Sequence, residues 1–146
     1  MQLGRHVYKM GAERMALKGG VRFSVRFEDV FPHGCVLVPD SIAEAQDFDE
    51  RTRARTPSID KLTGQRVWQC RVMDMDEELR GRSREVSVKI LADVQPVPPV
   101  GPFQAVEFEG MTVTPYVSNT GRLSYSYRAT GLRAPVTAAE SRRKAA

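Results

Sequence analysis

Histidine and cysteine are scarce: His6, His33, Cys35 and Cys70 are all that 146 residues contain. His33 and Cys35 lie close together, but two candidate ligands fall short of the four that a structural zinc site uses, so no metal is expected. Two cysteines cannot build a disulfide framework. Both sit in short apolar stretches, where a thiol acts as a small hydrophobe rather than a nucleophile. A reducing, cytoplasmic compartment is the expected setting. No stretch approaches the roughly 18 consecutive apolar residues of a membrane helix. Met1 to Gly20 has scattered charges and no apolar block, unlike a secretory signal. There is no glycine-rich phosphate loop, because Gly19-Gly20 runs into a strand pattern and lacks the Lys-Ser/Thr that such loops carry. The acidic run Asp74, Asp76, Glu77 and Glu78 reads as a charged turn rather than a cation site. The expectation is a protein that is not an enzyme, takes no cofactor and has no membrane partner.

Helical periodicity is missing as well. After residue 20 no amphipathic helix of about a dozen residues is apparent. Short alternating runs take its place. Val21 to Phe27 puts Val21, Phe23, Val25 and Phe27 on one face and Arg22, Ser24 and Arg26 on the other. Phe31-Pro32-His33-Gly34 reads as a turn, Cys35 to Pro39 as a short strand that Ile42 to Phe48 continues, and Asp49 to Thr63 as a long polar loop. Arg66 to Asp74, Glu85 to Ile90, Val106 to Val117 and Arg122 to Ala129 read as strands. Asn119-Thr120-Gly121 is a hairpin turn, and Gly110 and Pro115 mark a bulge or an edge. The four prolines within Gln95 to Phe103 exclude a central strand there. With 41% hydrophobic and 27% charged residues the chain can bury one core. These features predict an all-β fold, a small five- to six-stranded Greek-key barrel of the oligonucleotide/oligosaccharide-binding (OB) type over residues 21–135. A flexible N-terminal arm over 1–20 and a disordered basic tail over 136–146 flank it.

Charge is unevenly placed. Residues 1–26 and 122–146 each carry a net +5, and residues 27–121 carry −6. Within the acidic middle, arginines alternate at Arg51, Arg53 and Arg55 and again at Arg80, Arg82 and Arg84. Guanidinium suits phosphate forks and stacking on bases. Aromatic residues accompany the basic ones: Trp68 shares a strand with Arg71, and Tyr125 and Tyr127 share one with Arg128, next to Tyr116 on the hairpin partner. That pairing is how single-stranded nucleic acid is held, bases on aromatic faces and phosphates on cations. Core packing competes with this reading. Trp68 alternates with Cys70 and Val72, which favours burial, and Tyr125 and Tyr127 share a face with Leu123 and Ala129. The opposite face, Arg122, Ser124, Ser126, Arg128 and Thr130, is wholly polar and rich in hydroxyls, which are common phosphate contacts.

Several stretches also resemble a family from actinobacterial plasmids and integrative elements, the plasmid replication, integration and excision activators. They are Phe31-Pro32-His33-Gly34, Asp60-Lys61-Leu62-Thr63-Gly64 with Val67-Trp68, Val86-Ser87-Val88-Lys89-Ile90, the run Val106 to Val117 and the run Gly121 to Leu132. The likeness covers roughly Val21 to Pro135 and implies work on a mobile element, with no catalytic motif attached. In pattern alone, the strand order is similar to that of the small single-strand-binding proteins of filamentous phages, OB barrels that act as homodimers.

The function expected is sequence-tolerant binding of single-stranded DNA during replication, excision or transfer of such an element, by a homodimer. Arg51, Arg53, Arg55, Arg71, Arg80, Arg82, Arg84, Lys89, Arg122 and Arg128 would hold the backbone, and Trp68, Tyr116, Tyr125 or Tyr127 would stack on bases. The acidic middle keeps a second class open, a non-catalytic adaptor or regulatory module that docks a replication or recombination protein. A duplex-DNA activator lacks a recognition helix or a clear groove-reading ribbon.

Overall fold

Side chains on a strand point alternately to opposite faces, so the apolar residues of each run choose the buried side. The computed structural model describes residues 21–136, so the arm over 1–20 and all but Val136 of the tail lie outside the described residues. The chain forms strands β1 (Phe23–Ser24), β2 (Cys35–Leu37), β3 (Ala43–Glu44), β4 (Gln46–Phe48), β5 (Arg55–Pro57), β6 (Val67–Asp74), β7 (Glu85–Leu91), β8 (Ala105–Glu109), β9 (Thr112–Val117), β10 (Leu123–Ala129) and β11 (Gly131–Arg133). One helical turn, α1 (Phe27–Val30), follows β1, and a single 3-10 turn, Gly81–Arg84, precedes β7. No helix among the described residues is long and apolar enough to cross a membrane.

The fold is mostly β, as expected, but the sheet is an open, curled half-barrel rather than a closed small barrel. Eight strands run in the order β1-β9-β10-β7-β6-β2-β8-β11, with β3 added on β6 and β4-β5 as a separate two-stranded hairpin. All pairs are antiparallel except β10 with β7. The closed barrel of five to six strands is therefore corrected, because the end strands β1 and β11 do not pair with each other. The cause lies partly in the first strand. Of the alternating run Val21 to Phe27 only Phe23–Ser24 pairs with a neighbour. The Asp29 carboxylate accepts the Arg26 backbone N–H at 2.9 Å, a cap that turns Phe27–Val30 into a helix. Phe27 and Phe31 then pack on Phe108, with ring centroids 5.4–6.3 Å apart.

One long hairpin supplies β8 and β11 at one end of the sheet and β9 and β10 next to β1 at the other. β8 and β9 run opposite β11 and β10, and the pairing keeps the same register on both sides of Gly110 and Thr130. No extra residue enters, so the expected bulge is instead a bend. Gly110 has φ +60°, and a Cβ there would lie 2.5 Å from Thr130 Oγ1. Pro115 stands past the end of β1, on the open edge of β9, where its missing N–H is harmless. The turn Ser118–Gly121 closes through the Gly121 N–H to the Ser118 carbonyl at 2.9 Å, with Gly121 at φ +79°.

The concave face holds the core: Phe31, Cys35, Leu37, Trp68, Cys70, Val72, Val88, Ile90, Val106, Phe108, Met111 and Ala129 are all buried. Each large apolar side chain of this kind contributes about 1.5–3 kcal/mol when fully buried. The segment expected to be a loop over Asp49 to Thr63 carries β5, which pairs with β4.

Candidate nucleic-acid interface

With the apolar residues of β6, β7 and β10 turned inward, their polar alternates fall together on the outer face. Register pairs Arg128 with Thr112 and with Lys89, and Lys89 with Gln69, so one row Thr112–Arg128–Lys89–Gln69 crosses four strands. In the next row Ser126 stands beside Thr114, and Arg71 beside Ser87. Beyond them Ser124 pairs with Tyr116. The outer face of β9, β10, β7 and β6 thus carries hydroxyls, one amide and cations, with Glu85 on β7 as its carboxylate.

A groove runs over this face. One part, of about 760 Å³, lies between the sheet and the chain from Glu44 to Leu62, which includes the β4–β5 hairpin. A second, of about 680 Å³, reaches Tyr116 and Glu85. Gln69, Lys89, Thr114 and Arg128 line both. The hairpin is anchored at its base, where the Ala45 N–H donates to the Val67 carbonyl at 3.0 Å and the Ser58 N–H to the Ala45 carbonyl at 2.9 Å.

Asp60 organises the cations. It is buried, forms a close ion pair with Arg22, and lies 3.8 Å from Arg128 Nε. The Thr63 hydroxyl and backbone N–H also donate to it, at 2.8 and 3.0 Å. The hydrogen bond from Arg22, with those from Thr63, holds the Asp60 carboxyl well below the usual carboxylate range, against the opposing effect of burial. Arg128 donates further to Thr114 Oγ1 at 3.3 Å. Lys89 makes no ion pair or side-chain hydrogen bond among the described residues. Burial, then the nearby Arg128, pushes its ammonium below the ordinary lysine range, although Asp47 and Asp60 oppose this. Of the acids lining the groove, Glu44 is taken by Arg66 and Glu85 by Arg71, and neither arginine lines the groove. The arrangement can accept an anion at Lys89, in competition with Asp47, which lines the groove and makes no ion pair among the described residues.

The residues singled out from the sequence are not gathered in one place. Lys89, Arg128, Tyr116, Tyr125, Tyr127 and Arg55 line the groove, and Arg71 stands in the second row of the outer face, bonded to Glu85 at 2.6 Å. Arg122 is exposed beyond Ser124, towards the hairpin end. Trp68 is 4% exposed and donates its indole N–H to the Ala92 carbonyl at 2.9 Å. It is a core residue, and its proposed stacking is corrected. Tyr127 packs against the core, while Tyr125 remains 50% exposed at the rim of the same face. Arg51, Arg53 and Arg55 do not form an extended row. The Arg53 N–H closes a turn on the Asp49 carbonyl at 2.7 Å, and Arg53 has φ +58°. Arg80 and Arg82 are exposed at the 3-10 turn, and Arg84 donates to the Leu79 carbonyl at 2.9 Å. Arg22, Gln69, Thr114 and Asp60 were missed as site residues. Outward alternation could have flagged Gln69 and Thr114, but the Arg22–Asp60 contact spans 38 residues and leaves no local signal.

Known proteins were compared with the chain through family models, characterised sequences and solved structures. It matches none of them.

Proposed function

We propose that the outer face of β9, β10, β7 and β6 binds single-stranded DNA with little sequence preference. The observation that carries the reading is the row Thr112–Arg128–Lys89–Gln69, where a lysine with no ion pair among the described residues lines a groove among hydroxyls and beside an arginine. Phosphates would sit on Lys89 and Arg128, and Tyr116, 48% exposed at one end of the groove, offers a ring to a base. The open face admits a flexible strand and contains no helix to enter a duplex groove. The resemblance to mobile-element activators supplies a setting, replication, excision or transfer of such an element, with the protein acting as a homodimer in the cytoplasm and not as an enzyme.

The four carboxylates in the groove, Glu44, Asp47, Asp60 and Glu85, favour a second reading, an adaptor that docks a replication or recombination protein. One titration separates the two. Fluorescent oligo-dT and a matching duplex are titrated at two salt concentrations with the parent and with Lys89→Ala. Tighter binding to the single strand, weakening with salt, is expected, and Lys89→Ala should lower the affinity and reduce the salt slope by about one. Preference for duplex would overturn the single-strand reading. No binding to either at low salt would leave the adaptor.

A further inference from the structure

We propose that Phe48, on the β4–β5 hairpin, is a second base-stacking residue, so that the hairpin acts as one wall of a clamp over the groove. The inference rests on the single-strand reading above and assigns a residue that the reading does not use. Phe48 is 52% exposed although it sits in regular strand structure, opposite Arg55. The Arg55 guanidinium lies over its ring, 5.9 Å from the centroid, and Arg55 itself lines the groove. The ring therefore lies against a cation that lines the groove. Within the fold this ring has no packing role: every residue from Gln46 to Pro57 is exposed, and the hairpin belongs to neither the main sheet nor its core. Exposed aromatic surface with an arginine beside it is the pairing that binds unstacked bases, through stacking and cation–π attraction.

The geometry gives the groove two ends of like chemistry. Tyr116 borders the part over β9 and β10, and Arg55, whose guanidinium lies over the Phe48 ring, borders the part under the hairpin. Lys89 and Arg128 lie in the stretch that both parts share. A single strand crossing the face would place phosphates at the middle and a base at each end. Asp47, next to Phe48, accepts a hydrogen bond from the Ser58 hydroxyl at 2.8 Å within the hairpin and keeps its negative charge.

The test uses the full chain and two oligonucleotides of equal length, oligo-dT and an abasic strand that keeps the phosphates but carries no bases. Phe48→Ala is expected to weaken oligo-dT binding about fivefold or more and to leave binding of the abasic strand unchanged. Phe48→Leu, which keeps apolar bulk but has no ring, should behave as Phe48→Ala, and Phe48→Trp should restore the parent affinity. Thermal unfolding of each variant should match the parent, since the side chain is exposed. Phe48→Ala binding oligo-dT like the parent, or losing both strands equally, would overturn the stacking role. So would Phe48→Leu binding like the parent. If the parent itself binds neither strand at low salt, the single-strand reading fails, and the inference with it.

Discussion

At the residue scale, burial decides what a reactive side chain can do. Cys35 and Cys70 are both within the core, 2% and 0% exposed. Burial pushes the Cys35 thiol up to about 12, with Asp74 adding to the effect, and the Cys70 thiol up to about 11. The Cys35 thiol also donates to the Val106 carbonyl at 3.4 Å. Since the thiolate is the nucleophile, neither cysteine should react with a disulfide reagent such as DTNB at pH 8 in the folded protein. Both should react once urea has unfolded it. Rapid reaction of either thiol without denaturant would show that this part of the core opens. Trp68 follows the same rule: its indole satisfies its N–H on a carbonyl and gives its face to the guanidinium of Arg66, 4.5 Å away, rather than to a base.

At the scale of elements, the bend in the long hairpin is the feature most exposed to mutation. Gly110 adopts the left-handed conformation while facing Thr130, whose hydroxyl donates to the Glu109 carbonyl at 3.2 Å. Alanine there would meet both the backbone penalty and the Thr130 side chain. Gly110→Ala should therefore destabilise the fold by roughly 1–3 kcal/mol, read from chemical denaturation. Adding Thr130→Ala should recover part of the loss, because it removes the closest atom and leaves the backbone strain. Gly110→Ala as stable as the parent would mean that the hairpin accommodates a side chain by shifting its bend. The β4–β5 hairpin illustrates the opposite case. Its turn places Arg51 and Arg53 at the exposed tip and only Arg55 in the groove. Removing all three arginines should thus affect binding through Arg55 alone.

At the scale of the whole molecule, Asp60 ties together three distant parts of the chain: Arg22 ahead of β1, the loop carrying Thr63, and Arg128 on β10. Its carboxyl is held below the usual range by Arg22, so the folded state binds the proton more weakly than the unfolded chain does. The stabilisation is then fully present above the unfolded carboxyl value of about 4 and is lost as pH falls below it. Asp60→Asn should lower stability near neutral pH by about 1–3 kcal/mol, since charged hydrogen bonds are lost. It should also make the unfolding free energy less dependent on pH in the acid range. Denaturation curves for both proteins between pH 3 and 7 would check this. Parallel pH profiles would show that another carboxylate governs acid unfolding.

Much of this arrangement is legible in the sequence, because it depends on alternation. The inward set Trp68, Cys70 and Val72, the outward set Ser124, Ser126 and Arg128, the turn at Asn119–Gly121 and the irregular proline-rich stretch all follow from local chemistry acting on two to ten neighbouring residues. Those patterns state which face of a strand is polar, but not which strands lie side by side. Three properties come only from the tertiary structure. Lys89 joins Arg128 because β7 pairs in parallel with β10, 39 residues further on. Asp60 is buried because Arg22 reaches it from outside its loop. The expected strand Val21 to Phe27 is cut short because a capped helical turn begins at Phe27 and packs Phe27 and Phe31 on Phe108. Each of these contacts joins segments far apart in the chain, and the free energy that selects them, burial of a shared face and pairing of distant charges, has no counterpart in any short stretch of sequence.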